Sequence, residues 1–80
     1  MSYLTQQIVH RTLGDLTHGQ RIATYGDDTS EATSEPYYLA DGTRISDGRD
    51  NYEIERYVRA AGLRMQAEAD GIYVYRADEV

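Results

Sequence analysis

The sequence predicts a small α+β domain, an antiparallel sheet of four or five strands with a helix across one face. Three observations predict it. Asp-Gly pairs at 41–42 and 70–71 each separate short runs rich in Tyr, Ile, Leu and Val, the signature of β-hairpins. Between them, Ile54, Tyr57, Val58 and Ala61 recur at i, i+3, i+4 and i+7, one buried helical stripe. The chain has 80 residues, and with Ala and Tyr set aside its apolar set is sixteen Ile, Leu, Val and Met. That suffices to bury one helical layer on one sheet, within a single domain spanning 1–80.

Residues 2–17 carry Tyr3, Leu4, Ile8, Val9, Leu13 and Leu16. This spacing suits an amphipathic helix opened by Ser2 or Thr5 and ended near Gly14. The β-branched pair Ile8-Val9 and the alternation Leu4-Gln6-Ile8 also suit a strand, so both readings stand. A short strand follows from Gln20 to Tyr25. Residues 27–36 then hold four acids and no base, too polar to offset their ordering entropy, and are expected to form a mobile surface loop.

The first hairpin joins Tyr37–Ala40 to Thr43–Ser46. A two-residue turn pairs Tyr38 with Ile45; a three-residue loop pairs Leu39 with Ile45. The helix is expected from about Asn51 to Ala61, capped by Asp50 with Glu53 reaching back, and left through Gly62. Glu55 and Arg59 face each other on its exposed side. In the second hairpin, a turn at Asp70-Gly71 pairs Ala69 with Ile72, Glu68 with Tyr73, Ala67 with Val74 and Gln66 with Tyr75. One face then reads Leu63, Met65, Ala67, Ala69, Ile72 and Val74, and the other Arg64, Gln66, Glu68, Tyr73 and Tyr75. The expected core is Ile54, Val58, Ala61, Leu63, Met65, Ala67, Ile72 and Val74, with help from Tyr57.

Composition excludes several function classes. Fourteen acidic and eight basic residues give a net charge of −6, which disfavours direct binding to nucleic acid, where phosphates must be neutralised. There is no Cys, hence no disulfide, thiolate metal site or cysteine nucleophile. No run of eighteen apolar residues and no basic-then-apolar leader pattern is present, so a cytoplasmic protein off the membrane is expected. All eight basic residues are Arg and all eight aromatics Tyr, a pair that binding surfaces favour.

Motifs for chemistry are missing. His10 and His18 would need two further metal ligands, and no other His exists. Residues 41–50 resemble a calcium loop only superficially, since the twelfth position is Tyr52 and the Asp-x-Asp-x-Asp-Gly pattern is absent; turn and cap roles explain them better. No nucleophile elbow and no Gly-rich phosphate loop occurs. The expectation is a non-enzyme with no catalytic residue, metal or cofactor.

What remains is acid interleaved with Tyr. Acids cluster at Asp27, Asp28, Glu31 and Glu35, at the helix start, and at the C-terminus. Such a compact negative body is attracted to a basic groove that otherwise holds nucleic acid. The expected partner-binding residues are Asp27, Asp28, Glu31, Glu35, Tyr37, Glu68, Tyr73 and Tyr75.

In size, acidity and Tyr content the whole chain resembles the small, acidic, single-domain anti-CRISPR proteins of phages, particularly those acting on type I Cascade complexes such as type I-C. The stretch Asp50-Asn-Tyr-Glu-Ile-Glu-Arg-Tyr-Val-Arg between two Asp-Gly hairpins carries the comparison, and no diagnostic motif does. The resemblance implies a stoichiometric inhibitor in the host cytoplasm that binds a Cas subunit, such as the backbone subunit lining the DNA groove, and blocks target DNA. It assigns no functional residue by position. A different class, a phage or prophage regulator or antitoxin that binds protein, predicts the same kind of surface. A third reading, a plain accessory or structural domain, takes the acidity as solubility alone. The oligomeric state is open between monomer and weak dimer.

Overall fold

The computed structural model describes residues 4–25 and 36–78. In chain order the elements are α1 (Gln6–Leu13), β1 (Gln20–Tyr25), β2 (Tyr37–Leu39), β3 (Arg44–Ile45), α2 (Gly48–Ala60), β4 (Leu63–Glu68) and β5 (Gly71–Arg76). The strands form one antiparallel sheet in the order β3-β2-β1-β5-β4, so the two hairpins meet across β1. The α+β architecture is as expected. The acidic segment 27–36 lies outside the described residues except for Pro36.

The N-terminal segment is a helix. Thr5 caps it, its hydroxyl accepting from the Ile8 amide at 3.3 Å. Gly14 ends it with φ at 65°, and the Gly14 amide donates to the His10 carbonyl at 2.8 Å. This turns Val9 into a core residue.

β1 is where the sheet is irregular. Gln20 pairs with Val74, Arg21 with Tyr73, then Ala23 with Ile72, leaving Ile22 as a bulge. Strict alternation would send either Ile22 or Ala23 to solvent; the bulge buries both.

The first hairpin adopts neither expected register. Tyr37 pairs with Ile45 and Tyr38 with Arg44. The Leu39 amide donates to Thr43 at 3.0 Å, and Gly42, with φ at 90°, closes a three-residue loop, 40–42. The register follows from burial: Tyr37, Leu39 and Ile45 all reach the core face in it. Asp41 braces the loop, Oδ1 accepting from the Thr43 amide at 3.0 Å and the Thr43 hydroxyl at 2.7 Å. These bonds hold its carboxyl below the usual range.

Helix α2 starts earlier than expected. Asp47, not Asp50, is the cap, accepting from the Arg49 amide at 2.7 Å. Asp50 instead accepts the Leu4 amide at 2.9 Å, and Glu53 accepts from the Gln6 side chain at 2.8 Å. Both carboxylates tie the N-terminal segment to α2. Gly62 supplies the left-handed exit at φ 79°.

In the second hairpin the register is displaced by two residues from the expected one. Met65 pairs with Val74, Gln66 with Tyr73, Ala67 with Ile72 and Glu68 with Gly71, so the turn is Ala69-Asp70. Because the displacement is even, the two faces keep their expected residues. Gly71 is in the strand for a packing reason: a Cβ there would meet the Ala23 carbonyl oxygen at 2.2 Å.

The core is Val9, Ile22, Ala23, Tyr37, Leu39, Ile45, Ile54, Val58, Leu63, Ile72 and Val74, all on the helix-bearing side of the sheet. Met65 and Tyr57 pack against it half-buried. Ala61 and Ala67 are exposed, contrary to expectation. Ala61 follows the end of α2, and Ala67 sits near the turn of an edge strand. No helix among the described residues is long and apolar enough to cross a membrane.

Candidate protein-binding face

Both helices cover the face that carries Ile72 and Val74, so strand alternation leaves the other face without a helix among the described residues. Across the register, that face holds Arg44, Tyr38 and Thr24 at one end, Arg21 and Tyr73 in the middle, and Tyr75 with Gln66 and Arg64 at the other. A groove of about 270 Å³ between β1 and β2 includes Arg21, Thr24 and Tyr38 in its lining.

Tyr73 and Tyr75 are its centre. Standing two apart on β5, their rings stack with centroids 6.3 Å apart and planes 15° from parallel. The Tyr73 hydroxyl donates to Asp70 at 2.8 Å, and the Tyr75 hydroxyl donates to Glu68. These two bonds come first in raising both phenols above their ordinary value, with burial and the carboxylate charges adding to the rise. Arg64 lies over the Tyr75 ring, 5.4 Å from its centroid, and His18 meets that ring edge-on at 5.5 Å. A chain of side-chain bonds runs along β4, Arg64 to Gln66 at 2.7 Å and Gln66 to Glu68 at 3.3 Å. Arg21 closes the far side with an ion pair to Asp70 at 3.3 Å. The two rings are therefore held in one arrangement before any partner arrives, which lowers the entropy lost on docking.

The expected contact residues divide three ways. Glu68, Tyr73 and Tyr75 come together as one unit. Tyr37 does not join them: it is 2 % exposed, its ring in the core and its hydroxyl donating to Asn51. Asp27, Asp28, Glu31 and Glu35 lie outside the described residues. Sequence reading missed Tyr38, Arg21 and Asp70. Adjacent tyrosines on a strand must point to opposite faces, so Tyr37-Tyr38 held the signal for Tyr38; Arg21 and Asp70 needed the bulge and the true turn.

Acids near the start of α2 have local work: Asp47 caps, Asp50 and Glu53 hold the N-terminal segment, and Glu55 pairs with Arg59 at 3.5 Å. The histidines are likewise engaged. His10 packs against the Tyr57 ring, and His18 accepts the Arg76 amide at 3.0 Å through Nδ1. Among the described residues no three His, Cys, Asp or Glu gather as a metal site. An open cleft of about 840 Å³ at the helix-exit end is lined by Thr17, His18, Gly62, Leu63 and Arg76 among others. No protein-family model matches this chain, and neither the curated proteins nor the solved structures include a significant match to it.

Proposed function

We propose that the domain acts by binding a protein through its open sheet face, as a non-catalytic inhibitor of a CRISPR effector that keeps target DNA out. The observation that carries the binding reading is the Tyr73–Tyr75 stack, covered by neither described helix and held from both sides by carboxylates and arginines. Rigid tyrosines flanked by Arg are what protein interfaces use at their centres. The charge on this face supports a protein over a nucleic acid. Arg21, Arg44 and Arg64 stand against Glu68 and Asp70, and Arg21 is already paired with Asp70, so little charge remains to neutralise phosphates. The net charge of −6 repels DNA and draws the domain toward a basic groove. The resemblance to small acidic phage inhibitors names the owner of such a groove: the DNA-binding surface of a type I Cas backbone subunit.

The test is a purified type I-C effector complex mixed with excess domain and labelled target DNA. Loss of DNA binding, with the domain co-eluting on the complex, supports the reading. Undiminished DNA binding ends it for that effector. Retention of single-stranded DNA by the domain alone would overturn the protein-partner reading itself.

A further inference from the structure

The two edges of the sheet are not alike. β3 is a two-residue strand, too short to template another chain, whereas β4 is six residues long, ends the sheet among the described residues, and has neither Pro nor a bulge. Its backbone polarity can be read from two bonds. The Ala77 amide donates to the Gly62 carbonyl at 3.0 Å, so the hydrogen-bonded positions of the β4–β5 ladder are Gly62, Arg64, Gln66 and Glu68. The Val74 carbonyl is taken by the Gly19 amide at 2.7 Å, on the β1 side, which agrees: Met65, opposite Val74, sits at a non-hydrogen-bonded position. The backbone groups of Leu63, Met65 and Ala67 therefore point outward along the open edge.

We infer that β4 is a homodimerisation edge that pairs antiparallel with β4 of a second copy about a two-fold axis at Gln66. In this register Met65 and Ala67 of each copy face Ala67 and Met65 of the other, and their outward amides and carbonyls form the seam. On the open face, Arg64 stands opposite Glu68 of the second copy, twice, at positions where side chains approach closely. Other registers that keep the outward groups paired are worse matched. Centring on Met65 sets Arg64 against Gln66; centring on Ala67 sets Gln66 against Glu68 and leaves Arg64 past the end. Only the Gln66 centre is self-complementary in charge, as a two-fold interface must be. On the helix side the half-buried Met65 and the exposed Ala67 cover one another across the seam. The product is a continuous ten-stranded sheet, two copies of the five observed, with both Tyr73–Tyr75 stacks on one side.

Cysteine cross-linking tests this directly, because the natural chain has no Cys. Residue 66 meets itself at the axis, with Cα atoms about 4.5 Å apart in a non-hydrogen-bonded pair, inside the disulfide range. Gln66→Cys is expected to form a disulfide dimer under mild oxidation far faster than Arg44→Cys, which lies at the opposite edge. Sedimentation of the unmodified chain is expected to give twice its 9.1 kDa mass. Arg64→Glu places like charges opposite and should return the monomer; adding Glu68→Arg should restore the dimer. Ala67→Pro removes an outward amide that β5 does not use, so the dimer should dissociate while circular dichroism is unchanged. A monomer up to millimolar concentration overturns the proposal. So does a dimer indifferent to the charge reversal, or equal cross-linking of Gln66→Cys and Arg44→Cys.

Discussion

The α-carbon of Gly71 and the carbonyl oxygen of Ala23 lie so close across the β1–β5 ladder that a Cβ on Gly71 would stand 2.2 Å from that oxygen. Gly71 also holds φ at 149°, a conformation that L side chains rarely adopt. The obstacle is backbone, beside the bulge that buries Ile22 and Ala23, and it cannot swing aside. Gly71→Ala is therefore expected to destabilise the fold by about 2–3 kcal/mol through overpacking and strain, read as a lower urea midpoint. Gly42→Ala, in an open turn with nothing within 4 Å, should cost less.

This contact also explains what was legible in the sequence and what was not. Helix α2, both hairpins and the two faces of β4 and β5 follow from apolar period and turn residues. The hairpin register does not. Asp70-Gly71 has the composition of a two-residue turn, but a long-range contact with β1 claims Gly71 for the strand and moves the turn back. Tyr37 went astray for the same reason: whether a Tyr faces the core or the open side depends on a register set by Leu39 and Ile45 together. Ile22, Ala23, Tyr37, Leu39 and Ile45 were absent from the expected core because strand order is nonlocal, and Val9 because residues 2–17 suit a helix and a strand alike. Glu68, Tyr73 and Tyr75 were placed together because faces survive an even displacement.

The two acids at the head of α2 should separate by role. Asp47→Ala removes the cap and should cost about 1 kcal/mol, with loss of protection at the first amides of α2. Asp50→Ala should leave those amides protected and instead free the Leu4 amide, 46 positions away in sequence. Hydrogen exchange resolved by residue checks both. Protection lost at Tyr52 or Glu53 in Asp50→Ala, with Arg49 unaffected in Asp47→Ala, would restore Asp50 as the cap.

Ile54, Val58 and Val9 are each fully buried where α1 and α2 meet the sheet. Ile54→Ala is expected to cost about 2–4 kcal/mol, a large share of the stability of so small a domain. Val9→Ala should also lower the melting temperature, which a peripheral N-terminal helix would not require. An unchanged melt for Val9→Ala would detach α1 from the core.

The tyrosine pair carries a pH signature. Tyr75 donates to Glu68, and this bond, then burial and the carboxylate charge, raise its pKa above the ordinary value near 10. The folded state prefers the neutral phenol. The associated stability is thus fully present below the unfolded value and is lost as pH rises through the folded one. Ultraviolet titration should show Tyr75 ionising late, and Glu68→Ala should bring it earlier by removing the acceptor together with the charge. A Tyr75 midpoint unmoved by Glu68→Ala would mean that the bond does not hold the ring.

On the proposed function, rate and lifetime of the complex should respond to different residues. Carboxylates away from the interface centre act at a distance, so their effect is on association and fades as salt shortens the screening length. Asp27→Asn with Asp28→Asn should slow binding to the effector at low salt and change little at high salt. A centrally buried Tyr acts by contact, and its loss raises dissociation at any salt, by about 2 kcal/mol or roughly thirtyfold in affinity. Tyr73→Ala should have this effect, as should Tyr75→Ala, which also leaves Arg64 without the ring beneath it. Tyr52→Ala is the control, since Tyr52 is 57 % exposed on α2, away from the open sheet face. Surface-binding kinetics at two salt concentrations separate the cases. If Tyr52→Ala weakens binding and Tyr73→Ala does not, the contact surface is the helical side, and the uncovered face owes its tyrosines to strand packing alone.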